Sequence, residues 1–165
     1  MRLRKLEKKD AKLMLEWMHD NDVVAQLGAN FKEKDINDCE GFIKNSEDTT
    51  NDLHLAIVDD DDVYMGTVSL KHIDMLEKDA EFAITVRSVA MGKGYSKYAM
   101  ETIIDIGLKE LGLNHIYWCV SVENVRAIRF YDKNEYRRVE KVPKRISDRY
   151  TEAQLTKFLW YVVTK

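Results

Sequence analysis

The chain has 165 residues, 45% of them hydrophobic, with 26 Lys plus Arg against 29 Asp plus Glu. That length buries about two-thirds of the unfolded surface in one domain and falls short of two, and a net charge of −3 supplies no basic field for nucleic acid or an anionic membrane. No apolar run approaches the ~18 residues of a membrane span, and the opening MRLRKLEKKD lacks the apolar stretch of a secretion signal, so the expectation is a cytoplasmic protein with a small partner.

In chain order, Arg2 to Leu6 alternates weakly as a strand, and Asp10 is placed to cap an amphipathic helix carrying Leu13, Met14, Trp17 and Met18. A second helix is predicted over Asp35 to Ile43, with Ile36, Cys39, Phe42 and Ile43 at helical spacing. Leu53 to Val58 and Val63 to Leu70 read as strands joined by the acidic run Asp59 to Asp62, and Ala80 to Val86 is the next strand. From Ser96 a long helix presents Ala99, Met100, Ile103, Ile104, Gly107, Leu108 and Leu111 on one face and stops at Gly112, a C-terminal capping residue. His115 to Val122 (HIYWCVSV) is a buried strand, Asn124 opens a helix through Tyr131, and Arg138 to Val142 and Leu155 to Val163 close the chain as strands. Cys39 and Cys119 lack metal-ligand spacing and read as reduced thiols, Cys119 in the core. The four aspartates have neither spaced oxygen ligands nor a turn glycine, so they predict a solvated hairpin tip and no calcium site; no metal is expected anywhere.

The turn Met91-Gly92-Lys93-Gly94-Tyr95-Ser96 carries the chemistry. Two glycines at a strand-to-helix junction let backbone N–H groups converge, and the helix N-terminus adds partial positive charge, which makes an anion site. A dinucleotide fold would want a third spaced glycine and an acidic residue about 20 residues on, and a P-loop would want Gly-Lys-Ser/Thr; neither is present.

ITVRSVAMGKGYSKYAMETII resembles the acetyl-CoA motif of the GNAT superfamily of N-acetyltransferases, in which a strand leads into Gln/Arg-x-x-Gly-x-Gly/Ala and a long helix. NVRAIRFYDKNEY resembles the second motif, Asn-x-x-Ala-x-x-x-Tyr followed by a Gly-Phe pair. Order and spacing match, and the flanking strand pattern extends the likeness over essentially the whole chain. Met91 stands where Gln or Arg is usual, Ser96 where Gly or Ala is usual, Ser88 where Pro is frequent, and Glu135-Tyr136 replaces Gly-Phe.

The resemblance implies one N-acetyltransferase domain over residues 1–165, an α/β fold with a central, mixed, splayed sheet of six to seven strands and about four flanking helices. It implies acetyl-CoA as co-substrate, its pyrophosphate on the N–H groups of Gly92, Lys93, Gly94, Tyr95, Ser96 and Lys97 behind Met91, and its pantetheine arm between two splayed strands. Backbone groups near Ile84, Thr85 and Val86 would pair with that arm and stabilise the oxyanion. Asn124, also a good helix cap, would meet it at the mouth. Tyr131 would give a proton to the departing thiolate, and Glu81 would take one from the amine, directly or through water; His72 and then His115 are the rivals for that second role. Trp17, His19 and Asp22 fall where relatives shape the acceptor pocket. The acceptor is a primary amine, with a nucleotide-linked amino sugar, a protein N-terminus or a small amine as candidates, and a homodimer through the late strands is in keeping with the family. The alternatives are an acyl-CoA-binding regulatory module of the same fold without turnover, and a nucleotide-binding oxidoreductase.

Overall fold

The computed structural model describes residues 1–27 and 29–165. Among the described residues seven strands form one sheet: β1 (Arg2–Lys5), β2 (Leu53–Val58), β3 (Tyr64–Asp74), β4 (Asp79–Val86), β5 (His115–Ser121), β6 (Arg137–Val139) and β7 (Phe158–Thr164), in the spatial order β1-β2-β3-β4-β5-β7-β6. The helices are α1 (Ala11–Met18), α2 (Asn21–Val24), α3 (Ile36–Asn45), α4 (Tyr95–Asp105), α5 (Val125–Lys133), α6 (Lys144–Ser147) and α7 (Glu152–Leu155). The first four strands form an antiparallel meander, and β4 and β5 are parallel. Parallel neighbours need a crossover of a dozen residues or more, and α4 supplies it.

Period-2 alternation builds two cores. Val68, Leu70, Ala80, Phe82, Ile116, Trp118 and Val120 pack against Ala99, Met100 and Ile103 of α4 on one face. On the other face, Ala56, Val58 and Tyr64 meet α1, α2 and α3 through Met14, Trp17, Val23, Val24, Cys39 and Ile43. Trp17 donates its indole N–H to the Tyr64 hydroxyl at 3.1 Å, which makes it a core residue.

The helix expected to run unbroken to Gly112 changes pitch, a five-residue π segment at Ile106–Glu110 following α4. Here the helix lies hard against the sheet: a Cβ on Gly107 would fall 2.7 Å from Ile116 Cδ1 and 3.0 Å from Leu70 Cδ1. Gly112 then ends it at φ +72°. The closing segments also depart from expectation. The predicted strand over 138–142 is the three-residue β6, and the one over 155–163 begins only at Phe158, because Thr151 and Gln154 form a reciprocal cap that starts α7.

Candidate active site

At the turn, Gly92 has φ +75° and Gly94 has φ +87°, and Gly94 is the N-cap of α4. Both lie in the left-handed region that favours glycine, and a Cβ on either would meet nothing within 4 Å, so open space lies over them. The first internal bond of α4 is Tyr98 N–H to the Gly94 carbonyl, 3.1 Å. Among the described residues the N–H groups of Gly92, Gly94, Tyr95, Ser96 and Lys97 therefore have no protein partner. Those orphaned donors at a helix N-terminus fit a pyrophosphate. The Lys93 N–H differs, since it turns back to the Ala90 carbonyl at 3.4 Å, and the Tyr95 ring packs against the core beneath the turn.

The sheet opens beside this turn. β4 and β5 pair only at Asp79–His115, Ala80–Ile116 and Glu81–Tyr117, after which β4 stays on β3 as far as Val86 and β5 stays on β7 as far as Ser121. From Phe82 and Trp118 onward the two strands face each other without a ladder, leaving backbone groups on both sides free. A cleft of about 540 Å³ occupies the opening. Ile84, Thr85, Val86, Met91, Gly92, Gly94, Ser96, Lys97, Asn124 and Tyr131 all line it, so ten of the predicted positions converge. Glu81, Lys93 and Tyr95 lie outside it.

Four further polar residues of this cleft, Gln26, Arg126, Lys133 and Asn134, were missed in the sequence. The signal was available: α5 presents Arg126 and Lys133 seven residues apart, two turns of one helix, toward a predicted phosphate turn. Asp22, Val23, Gln26 and Leu27, in and just after α2, close the cleft from the opposite face of the sheet. Asp22 thus lines the cleft, whereas His19 is exposed and bonds the Lys34 carbonyl at 2.9 Å.

Asn124 caps α5, its side chain accepting the Ala127 N–H at 3.1 Å, and lines the cleft mouth at the same time. Two turns later Tyr131 is 7% exposed, its ring held by Trp118 at 5.4 Å, Tyr161 at 5.0 Å and Tyr136 at 6.3 Å. Burial, followed by the nearby Tyr161, Cys119 and Tyr136, pushes its phenol above the ordinary value of 10, so it keeps its proton. The turn after α5 survives the loss of the usual glycine: Glu135 takes φ +61° and delivers Tyr136 to an edge contact with Trp118, with some backbone strain.

Glu81 marks the closed end of the splay. Its side chain points away from the α4 face and is only 4% exposed. Arg149 Nη1 donates to Oε2 at 2.7 Å and the Tyr150 hydroxyl donates to Oε1 at 3.1 Å, both from the segment between α6 and α7. His72 Nε2 stands 3.6 Å from Oε2. Cys119, expected in the core, is half-buried on this same face, because strand alternation sets it opposite Trp118 and Val120. Burial pushes its thiol up to about 11, which leaves it a protonated, poor nucleophile. His115 stacks on Tyr117 at 5.8 Å, and no ion pair joins it to Glu81 among the described residues.

The acidic run is a hairpin tip that also ties down the first strand. Asp62 bonds Arg4 at 2.8 Å and also pairs with Arg2 and Lys9; Lys9 first and then Arg4 hold its carboxyl down to about 2. Among the described residues no three metal-ligating side chains converge, and no helix is long and apolar enough to cross a membrane.

A strand splayed from its neighbour beside a glycine turn and a helix N-terminus is the arrangement that the resemblance requires. The sequence also matches the family model of the acetyltransferase (GNAT) domain over residues 1–137. The chain belongs to the GNAT acetyltransferases. It is an acetyl-CoA-dependent N-acetyltransferase, and the acetyltransferase is similar to two curated relatives. One is the uncharacterised N-acetyltransferase p20 of Bacillus licheniformis, 28% identical over 90% of this chain and 88% of the relative. The other is spermidine N(1)-acetyltransferase of Escherichia coli K12, 29% identical over 81% of this chain and 70% of the relative. Among solved structures, spermidine N-acetyltransferase from Vibrio cholerae in complex with CoA and spermine superposes with a TM-score of 0.79 over 99% of this chain and 94% of that one, at 18% identity. At that identity the likeness shows the fold.

Proposed function

We propose that this acetyltransferase, working as one domain over residues 1–165, moves the acetyl group of acetyl-CoA to a primary amine by direct attack in a ternary complex. The observation that carries the reading is the split between β4 and β5 at Glu81–Tyr117, with an orphaned-donor turn at one end and a buried, protonated phenol beside it. Backbone donors of the turn would hold the pyrophosphate, and Lys97, Arg126 and Lys133 would add charge around it. Free backbone groups near Ile84 to Val86 would bond the pantetheine amides and the developing oxyanion, which places the carbonyl for attack. Tyr131 would donate to the departing thiolate, and the proton of the incoming ammonium would leave on the Glu81 side of the sheet.

Polyamines are the first acceptors to test, because curated relatives carry spermidine in their names; a nucleotide-linked amino sugar and a peptide N-terminus complete the panel. Thiol release from acetyl-CoA is the measurement, with turnover expected for at least one primary amine and none for tertiary amines. Tight coenzyme binding with no acetyl-CoA consumed across the panel would replace the reading with a binding module. We place the enzyme in the cytoplasm. We also propose a homodimer through the late strands, since β6 is an edge strand beside a largely apolar hollow of about 630 Å³ lined by Val139, Val142, Leu155, Phe158 and Trp160; a monomer in sedimentation equilibrium removes it.

A further inference from the structure

Within that reading, the fate of the amine proton turns on which group near the vertex is free to receive it. Glu81 is poorly placed to do so. Arg149 occupies Oε2 at 2.7 Å, Tyr150 occupies Oε1 at 3.1 Å, and the carboxylate is only 4% exposed. Both oxygens of the carboxylate are already hydrogen-bonded, so an approaching ammonium would have to displace an arginine or a tyrosine.

The backbone of β3 breaks its ladder beside this carboxylate. Lys71 pairs with Glu81 and Asp74 with Asp79, and the residues between are bulged out. His72 sits in that bulge at φ +53°, its N–H bonded to Asp52 Oδ1 at 2.8 Å, while the Ile73 N–H bonds the Asn51 carbonyl at 2.7 Å. A non-glycine residue in the left-handed region persists only where its surroundings over-determine it, and bulges re-aim side chains. What this one aims is an imidazole whose side chain is 47% exposed, with Nε2 3.6 Å from Glu81 Oε2.

We propose that His72 is the proton acceptor of the transfer, and that Glu81, clamped by Arg149 and Tyr150, is a positioning residue that orients the imidazole and stabilises its charged form. The imidazole takes one proton from the acceptor ammonium and returns it to bulk water. The freed amine forms the N–C bond as the C–S bond breaks; sulfur takes the Tyr131 proton, and the second proton shed by nitrogen restores the phenol by way of solvent. The groups facing His72 are Glu81 from β4, Arg149 from the α6–α7 segment, Lys71 from its own strand and Asp52 from the segment before β2. Burial first and then Arg149 lower the imidazole below its ordinary value of 6.5, against the upward pull of Glu81 and Asp52, so the ring is neutral and basic at neutral pH.

Activity is therefore full above the His72 pKa and is lost as pH falls through it, at a value below 6.5. Removing the Glu81 charge removes an upward influence and moves that limb to lower pH. The test uses His72→Asn, which accepts positive φ and does not titrate, with melting temperature and acetyl-CoA affinity by calorimetry as controls for folding and for the coenzyme site. With spermidine as acceptor, kcat/KM should fall about ten- to a hundredfold, a modest fraction of the usual range because an ammonium also exchanges protons with water, and the acid limb should vanish. His115→Gln should keep the limb. In parallel, NMR titration of the His72 ring, which needs no acceptor, should give a pKa that drops in Glu81→Gln. A limb unchanged in His72→Asn, a limb lost in His115→Gln, or a His72 pKa indifferent to Glu81→Gln each overturns the proposal. Failure to bind acetyl-CoA, or absence of spermidine turnover in the unmodified enzyme, counts instead against the function proposed above, and the NMR arm then decides the His72–Glu81 pairing alone.

Discussion

The two ends of the splay are built from different materials. At the open end, the proposed anion site is backbone: glycines at φ +75° and +87°, a helix N-terminus and, among the described residues, free N–H groups, all within Gly92 to Lys97. At the closed end, side chains gather from three stretches far apart in sequence: His72 and Glu81 on the adjoining strands β3 and β4, Cys119 on β5, and the Arg149–Tyr150 pair after α6. A backbone site is a local object and needs the right residue types in the right order. A side-chain site is a tertiary object, and its members have meaning only once the sheet has paired.

If the comparison is right, the largest effect should come from breaking backbone geometry. Gly94→Val forces a β-branched residue into φ +87° and puts carbon into the space above the turn. Acetyl-CoA affinity should fall by about a hundredfold or more, while a two-state melt still shows a folded protein, because Gly94 is exposed and an added Cβ meets nothing within 4 Å. Unchanged affinity by calorimetry would mean that the pyrophosphate lies elsewhere.

Tyr131 stands between the two ends and tests whether chemistry can be separated from binding. Tyr131→Phe keeps the ring against Trp118 and Tyr161 and removes one hydroxyl. Coenzyme affinity and melting temperature should stay near those of the unmodified enzyme, while kcat and kcat/KM fall together by about ten- to a thousandfold, the pattern of an interaction made in the transition state. Full turnover in Tyr131→Phe would leave catalysis to the backbone amides and proximity.

The closed end should respond in stability more than in coenzyme binding. Arg149→Ala removes a charged partner from the buried Glu81 carboxylate, leaving the Tyr150 hydroxyl and, at 3.6 Å, the His72 imidazole. With Arg149 about one-third exposed, water compensates in part, so the loss should be about 1–3 kcal/mol in denaturant unfolding. Acetyl-CoA affinity should move less than about threefold. An equal loss in coenzyme affinity would couple the two ends and dissolve the distinction between them.

Legibility in the sequence followed the same division. Gly92, Gly94, Asn124 and Tyr131 could be brought to one cleft from the sequence because each stands at a fixed spacing inside one motif, and the first four strands and α4 were readable from their apolar period. The bulge at His72 was not, since the strand read from Val63 stopped at Leu70, short of it, and the break is imposed by bonds to Asn51 and Asp52. Arg149 and Tyr150 escaped notice for a related reason: they lie between two four-residue helices, too short to carry a period, and only the fold brings them to Glu81. Cys119 was misplaced because an uninterrupted apolar run hides which alternate residues face the core.

The smallest expected effect is the most discriminating for the open end. If backbone donors and the α4 dipole carry the pyrophosphate, lysine side chains near the turn are accessories worth ~0.3 to 1 kcal/mol each at exposed positions. Lys97 lines the cleft but also stands 3.7 Å from Glu101, which offsets part of its charge, and the exposed Lys93 lies outside the cleft. Lys93→Ala and Lys97→Ala should each weaken acetyl-CoA binding by less than about fivefold, and raising ionic strength should weaken it by a similar factor, because dipoles are fixed and charges on flexible stems are screened. A hundredfold loss on Lys93→Ala would transfer the anion from backbone to side chain, and the open end would then resemble the closed end after all.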